Sequence, residues 1–432
     1  MEKISSRLVN LFIPVVFFSG FIDIKNKNNL NLSTILIIFL IFTMIILSFI
    51  YIIKNGSIIH VDLFLIIYMI FSALFFCLMP LSQESFFNKM LDFRDRIFYM
   101  FICIFIFEFI KQDKDLEKII KITLKLSIFF AIFGIFQYIF RNKLPLWLLA
   151  NNYSNINSYA GTDIVRTTGL LGNTIIYGNI MLMFFAIWFN KLLQYPKLKN
   201  LIINIIFIIS IFTTFSRSAI LGAAFIIIGM LLFKYFRSFY MGFNIKKLFV
   251  TIIGIGVIII SLTFFYYSPS LQANLKNSFV YNGLFMGNNV SVQGSTSGHI
   301  QFLHDGIEIM KNNILFGTGI ATQRVNSYYS NVNTYITDSG ILSFLCEIGV
   351  FAFIIYAILI IVVLKVTYKV IKIKKYSYLA LGFLIFSLFE FLFASIINSA
   401  YWGKTFYLLY WSLAGCILSI YKINKKQNYN VQ

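Results

Sequence analysis

His299-Ile-Gln-Phe-Leu-His304-Asp-Gly-Ile-Glu308-Ile-Met310 lies within residues 267–347, the one long polar stretch of an otherwise apolar chain. Its apolar residues Ile300, Leu303, Ile307 and Met310 fall at helical spacing and give one buried face. His299, His304, Asp305, Glu308 and Lys311 occupy the remaining positions. Asn-, Ser- and Gly-rich sequence precedes this run, from Asn282 to Gly298. Gly317-Thr318-Gly319, which reads as a helix-ending turn, then a Tyr/Asn tract and Asp338-Ser339-Gly340 follow it, and there an apolar run resumes. A loop of this length with a helix of its own is more often functional or disordered than idle. Read this way, the stretch is an extracytoplasmic lid, and the chain around it is a membrane bundle.

The 432 residues are 59% hydrophobic and only 12% charged, and apolar runs of membrane-spanning length recur throughout. Spanning segments must satisfy their own backbone hydrogen bonds, and no short alternating pattern suggests a barrel, so the fold class is an all-α polytopic membrane protein. Apolar segments fall at 6–22, 31–53, 58–80, 95–110, 119–140, 172–193, 199–214, 218–233, 248–267, 339–364, 377–397 and 404–421, about twelve transmembrane helices. Three regions follow: residues 1–267 with helices 1–9, an extracytoplasmic loop at 268–338 containing a short amphipathic helix, and residues 339–432 with helices 10–12 and a cytoplasmic tail. The stretch from Leu8 to Ile22 follows Lys3 and Arg7 and lacks a small-residue cleavage site, so it reads as the first span.

The formal charge of +20 does not indicate nucleic acid, because Lys and Arg collect in the cytoplasmic loops of membrane proteins. Placing both termini in the cytoplasm puts most of the 36 Lys and Arg residues inside. Residues 141–171, the Ser216-Arg217 turn and 268–338 then face outward. Cys77, Cys103, Cys346 and Cys416 lie in apolar segments without CxxC spacing and read as packing residues.

Arg217, between two closely joined spans, offers a planar fork suited to phosphate oxygens, although position alone fits an interfacial anchor equally well. Arg166 lies in a Thr/Gly-rich segment where Gly169 and Gly172 let backbone amides approach a ligand, or it is an ordinary loop residue. Glu347 falls inside a span, where an ionisable group is a functional candidate. Asp338 begins that span, as a helix cap or as a reactive carboxylate. Asp62 and Glu108 fall toward cytoplasmic ends, and Glu390 is mid-span and calls for a partner from another helix. His299 and His304 are five residues apart, which disfavours a zinc pair on one helix face, and no H-E-x-x-H or Asp cluster is present, so no metal and no cofactor is expected.

Four elements appear in order: Arg166-Thr-Thr-Gly169-Leu-Leu-Gly172-Asn173, Thr214-Phe-Ser216-Arg217-Ser-Ala-Ile-Leu-Gly222, Ser297-Gly-His299 with Asn312-Asn-Ile-Leu-Phe-Gly-Thr-Gly319, and Asp338-Ser-Gly-Ile-Leu-Ser-Phe-Leu-Cys-Glu347-Ile-Gly349. Together they resemble the O-antigen ligase and polysaccharide polymerase superfamily, bacterial polytopic glycosyltransferases with a large outward loop late in the chain. Ligases of that family resemble one another in carrying His-Asn where this chain has Asp338-Ser339, which favours the polymerase branch. His299 stands where the family often has Arg.

The resemblance implies a metal-independent glycosyltransferase of the bacterial cytoplasmic membrane. Its donor would be an oligosaccharide on undecaprenyl diphosphate, drawn from the membrane lipid. It implies that Arg217, Arg166, Asp338 and His299 are catalytic. Arg324, His304, Tyr328, Tyr335 and Glu347 are assigned to substrate binding. A flippase and a chain-length regulator are the implied protein partners. A ligase is the alternative enzyme. A lipid-linked oligosaccharide flippase is the alternative of another class, disfavoured because the cations cluster on one face and no internal repeat is visible.

Overall fold

The computed structural model describes residues 2–22, 32–55, 62–140, 143–144, 166–240, 303–304, 306–323, 339–398, 401 and 403–429. Among these, every regular element is helical. In chain order they are α1 (Glu2–Phe17), α2 (Leu32–Asn55), α3 (Leu63–Leu78), α4 (Phe86–Arg96), α5 (Phe101–Phe109), α6 (Asp113–Phe140), α7 (Thr174–Gln194), α8 (Leu198–Thr213), α9 (Arg217–Tyr240), α10 (Gly340–Val370), α11 (Ser377–Phe389) and α12 (Lys404–Tyr429). Seven helices among the described residues are long and apolar enough to cross a membrane, and three shorter apolar helices accompany them. The expected span at 248–267 and most of the loop at 268–338 lie outside the described residues.

Two expectations change. The segment read as a span at 95–110 is divided: Arg96 closes the amphipathic α4, a 3-10 turn follows at Phe98–Met100, and only the nine residues of α5 continue. The charges of Asp92, Arg94, Asp95 and Arg96 hold this segment out of a continuous apolar helix. The tenth span begins at Gly340, and its cap is Ser339, whose Oγ accepts from the Leu342 amide. Asp338 itself lies outside the described residues.

The bundle sorts its helices by composition. Of the seven long helices, α7 and α12 are the most enclosed and α2 is the least. α2 leaves Phe39, Phe42, Phe49 and Ile53 exposed, as a helix apolar on all sides does when hydrocarbon surrounds it. Within the bundle, small residues let backbones approach closely. Gly382 on α11 is so near α7 that an added Cβ would stand 2.6 Å from the Ile187 Cα. Buried polar side chains then cross-link the helices. The Tyr177 hydroxyl lies 2.7 Å from Ser210 Oγ and donates to the Phe130 carbonyl, and Asn190 Nδ2 donates to the carbonyls of Ser377 and Tyr378.

Alternating helix directions create two polar ends. At one end Lys375 reaches Asp113 and Glu117, Lys422 reaches Glu108, and Lys111 donates to Tyr51. The bond to Asp113 raises the Lys375 pKa above its ordinary value. At the other end Lys404 donates to Ser33 and Thr34, Ser19 meets Thr405, and Arg166 meets Thr214. The start of α10 joins this second end, because the Gly340 amide donates to the Asn398 carbonyl.

The Gly382 contact is testable. Gly382→Leu is expected to lower the melting temperature of the detergent-purified protein by forcing α7 and α11 apart, an overpacking cost of about 1–3 kcal/mol. Gly229→Ala, whose Cβ would meet Ile385 at 3.4 Å, is expected to melt near wild type.

Candidate functional site

The first half of the candidate site is built from the loop before α7 and the turn between α8 and α9. Asn173 ends the loop and caps α7, its Oδ1 accepting from the amides of Ile175 and Ile176. Before it, Gly169 and Gly172 have φ of 56° and 73°, so the backbone itself requires glycine there. The loop is tied to the α8–α9 turn at three points. Arg166 Nε donates to the Thr214 carbonyl at 2.8 Å. The Thr167 amide donates to the Thr213 carbonyl at 3.1 Å, and the two Thr hydroxyls lie 3.0 Å apart. Gln137 Oε1 on α6 accepts from the Thr168 amide.

The turn is sharp because Phe215 adopts a φ of 49°, an unusual conformation for a bulky residue and one that collects at functional sites. Arg217 is the first residue of α9. The sequence elements around Arg166 and Arg217 therefore meet, with Thr213 and Thr214 between them. The N-termini of α7 and α9 also stand together, since a Cβ at Gly178 would lie 3.4 Å from Thr214 Oγ1 and 3.1 Å from the Ala219 Cβ. Helix N-termini and guanidinium groups both favour an anion.

The second half is built on an opening in α10. Gly349 has φ 70° and ψ 175°, a region that only glycine occupies readily. There the helix exchanges two of its own bonds for bonds to residues 314–319. The Thr318 and Gly319 amides donate to the carbonyls of Cys346 and Glu347, and the Val350 and Phe351 amides donate to those of Ile314 and Leu315. The Gly-rich turn is thus a latch on a broken helix rather than a simple helix terminator. A Cβ at Gly349 would stand 2.2 Å from the Leu315 carbonyl oxygen.

Glu347, fully buried beside this opening, is ion-paired with Arg96 and accepts from the Gln323 amide at 3.0 Å. Arg96 also donates to Asp92 at 3.0 Å, and its guanidinium lies 4.6 Å from the centre of the Phe344 ring. The Tyr407 hydroxyl donates to the Arg96 carbonyl, fixing the end of α4 to α12. Sequence reasoning selected Glu347 but missed Asp92 and Arg96. The available signal was Asp92-Phe-Arg-Asp-Arg96, a charged run at the edge of an apolar segment, opposite an intramembrane carboxylate that needs a cation.

Glu390 lies between the two halves. It opens a π-helical turn, Glu390–Ala394, at the end of α11. One of its oxygens accepts from Asn179 on α7 at 3.4 Å, the other from Ser395 at 3.0 Å. Ser339 in turn donates to the Ser395 carbonyl. His304 is exposed, 3.9 Å from Glu308, on the segment whose Gly306 carbonyl accepts from the Cys346 thiol. His299, Arg324, Tyr328, Tyr335 and Asp338 lie outside the described residues, as does the side chain of Arg217. An apolar cavity of 360 Å³ opens between α10 and α11 beside Phe344, Tyr356 and Phe391.

An all-helical membrane bundle with polar, backbone-broken turns gathered at one end defines the class. Residues 202–357 match the family model described as O-antigen ligase, consistent with the O-antigen ligase and polymerase superfamily that the four sequence elements resemble. No curated protein matches the chain.

The ion pair yields a prediction. Glu347→Gln leaves Arg96 short of one carboxylate in a buried place, and breaking such a pair costs about 3–5 kcal/mol. The variant is expected to melt well below wild type in detergent. Glu308→Gln, at an exposed contact, is expected to melt with wild type.

Proposed function

We propose that this protein is an oligosaccharide repeat-unit polymerase, transferring glycan from undecaprenyl diphosphate to a sugar hydroxyl of another lipid-linked repeat unit on the outer face of the cytoplasmic membrane. One observation carries the reading. The O-antigen ligase match at 202–357 includes both the Ser216-Arg217-Ser218 turn and the Glu347 turn, and both turns lie at the same end of the bundle. Both termini are cytoplasmic in this reading, which follows from the distribution of Lys and Arg.

The chemistry follows from the residues. An acceptor hydroxyl attacks the anomeric carbon, the bond from that carbon to the phosphate oxygen breaks, and lipid diphosphate leaves. Charge grows on the departing diphosphate, and guanidinium groups fixed in advance stabilise it without a metal. Arg166 and Arg217 take that role. Asp338 or His299 accepts the hydroxyl proton. The cavity between α10 and α11 suits a polyprenyl chain, because its walls are mostly apolar and Gly340 and Ser395 at the polar end line it. Asp338-Ser339 in place of the ligase His-Asn favours polymerisation over ligation.

Two outcomes are expected. Arg217→Lys keeps the charge but loses the bidentate fork, so it is expected to fail nearly as badly as Arg217→Ala. Gels of surface polysaccharide would then show single repeat units with no ladder, at normal protein level in the membrane. A normal ladder from Arg217→Lys would return Arg217 to an interfacial anchor, and long chains stranded on the lipid carrier would indicate a ligase. The purified protein is also expected to act on lipid-diphosphate repeat units in excess chelator; activity restored only by added magnesium or manganese would reject the metal-free mechanism.

A further inference from the structure

At the end of the bundle opposite these turns, a cavity of 480 Å³ opens between α3, α10 and α12. Lys365 and Lys369 of α10 and Lys422, Lys425 and Lys426 of α12 line it. We propose that this cavity binds the phosphate headgroup of an anionic phospholipid at the membrane surface. The inference rests on the chain spanning a membrane and is independent of the glycan-transfer reading.

Two features point to an anion. Lys365 and Lys369 are one helical turn apart, as are Lys422 and Lys426, and like charges at that spacing repel. The two pairs line one cavity from two helices, so an anion between them relieves both repulsions at once. Lys422 is held by two carboxylates, Glu108 at 2.8 Å from its Nζ and Asp62 at 3.9 Å. Lys375, at the same end but outside the cavity, has two carboxylates of its own.

Further features select a lipid over a free ion. One turn deeper the lining becomes apolar, with Phe64, Phe107, Val362 and Leu418, so the cavity has a charged rim and a hydrocarbon wall. Lys422 lies against that wall, its Nζ 4.4 Å from the Phe107 ring centre. The Lys369 Nζ donates to the Tyr421 hydroxyl at 3.4 Å, which draws the rim of α10 toward α12. Basic pockets between helices at a membrane surface are suited to phospholipid headgroups, and the acyl chains lie along the apolar wall.

The test uses the full chain purified in zwitterionic detergent. Added phosphatidylglycerol is expected to raise the melting temperature, while phosphatidylcholine and inorganic phosphate at matched concentration leave it unchanged. The pair Lys369→Gln with Lys426→Gln is expected to lose most of that shift. Lys372→Gln with Lys374→Gln, which removes equal charge outside the cavity, is expected to keep it. Lys369→Arg with Lys426→Arg is expected to keep it as well. A photoreactive phosphatidylglycerol on the unaltered protein provides a second readout that needs no variant to fold; its adducts are expected on the cavity lining of α10 and α12. Equal losses from the two Gln pairs would overturn the site, as would adducts spread over the whole apolar surface. An equal shift from inorganic phosphate would make it an ion site with no lipid component.

Discussion

Inside an apolar bundle, a helix that opens must find new partners for every backbone group it releases. At Gly349 α10 gives up the bonds that the Val350 and Phe351 amides would make to the carbonyls of Cys346 and Glu347. Residues 314–319 supply all four replacements. This exchange fixes much of the polar end. It orients Glu347 toward Arg96, brings Gln323 to the same carboxylate, and sets Gly319 so close to Ser82 that a Cβ there would stand 2.6 Å from its Cα. Because the amide of Gly340 and the hydroxyl of Ser339 are held by the end of α11, the broken helix is anchored above the opening as well as within it.

The two halves of the polar end are tied together by different groups. Arg96 is shared between Asp92 and Glu347, so its charge is matched by carboxylates within the protein. Arg166 donates to the Thr214 carbonyl, and the residues after it bond to Thr213 and Gln137. Two adjacent helix N-termini adjoin that half, and helix N-termini favour negative charge.

Hydropathy made the helices legible, because each span reports its own contact with hydrocarbon through local composition. The Arg166 and Arg217 elements were also legible as a pair, since their residue types suit one ligand and their loops were expected on one face. The bond between Arg96 and Glu347 was not. Its members are separated by most of the chain, and local pattern carries no information on which distant helix will answer a buried charge. Gly317 and Gly319 looked like an ordinary helix-ending turn for the same reason: their partners are carbonyls that become available only when α10 breaks. Arg96 was absorbed into an apolar segment because the window that marks a span averages over the charged residues at its edge.

Asp92 stands one helical turn before Arg96 and pairs with it within α4, whereas Glu347 comes from far later in the chain. Domains form in the order in which the ribosome delivers them. During synthesis the guanidinium therefore has a counter-ion from the moment α4 forms, long before α10 exists. Asp92 is thus the earlier partner of this cation, and it remains one beside Glu347. The arrival of Glu347 and the closing of the latch then come late in the shaping of this polar end.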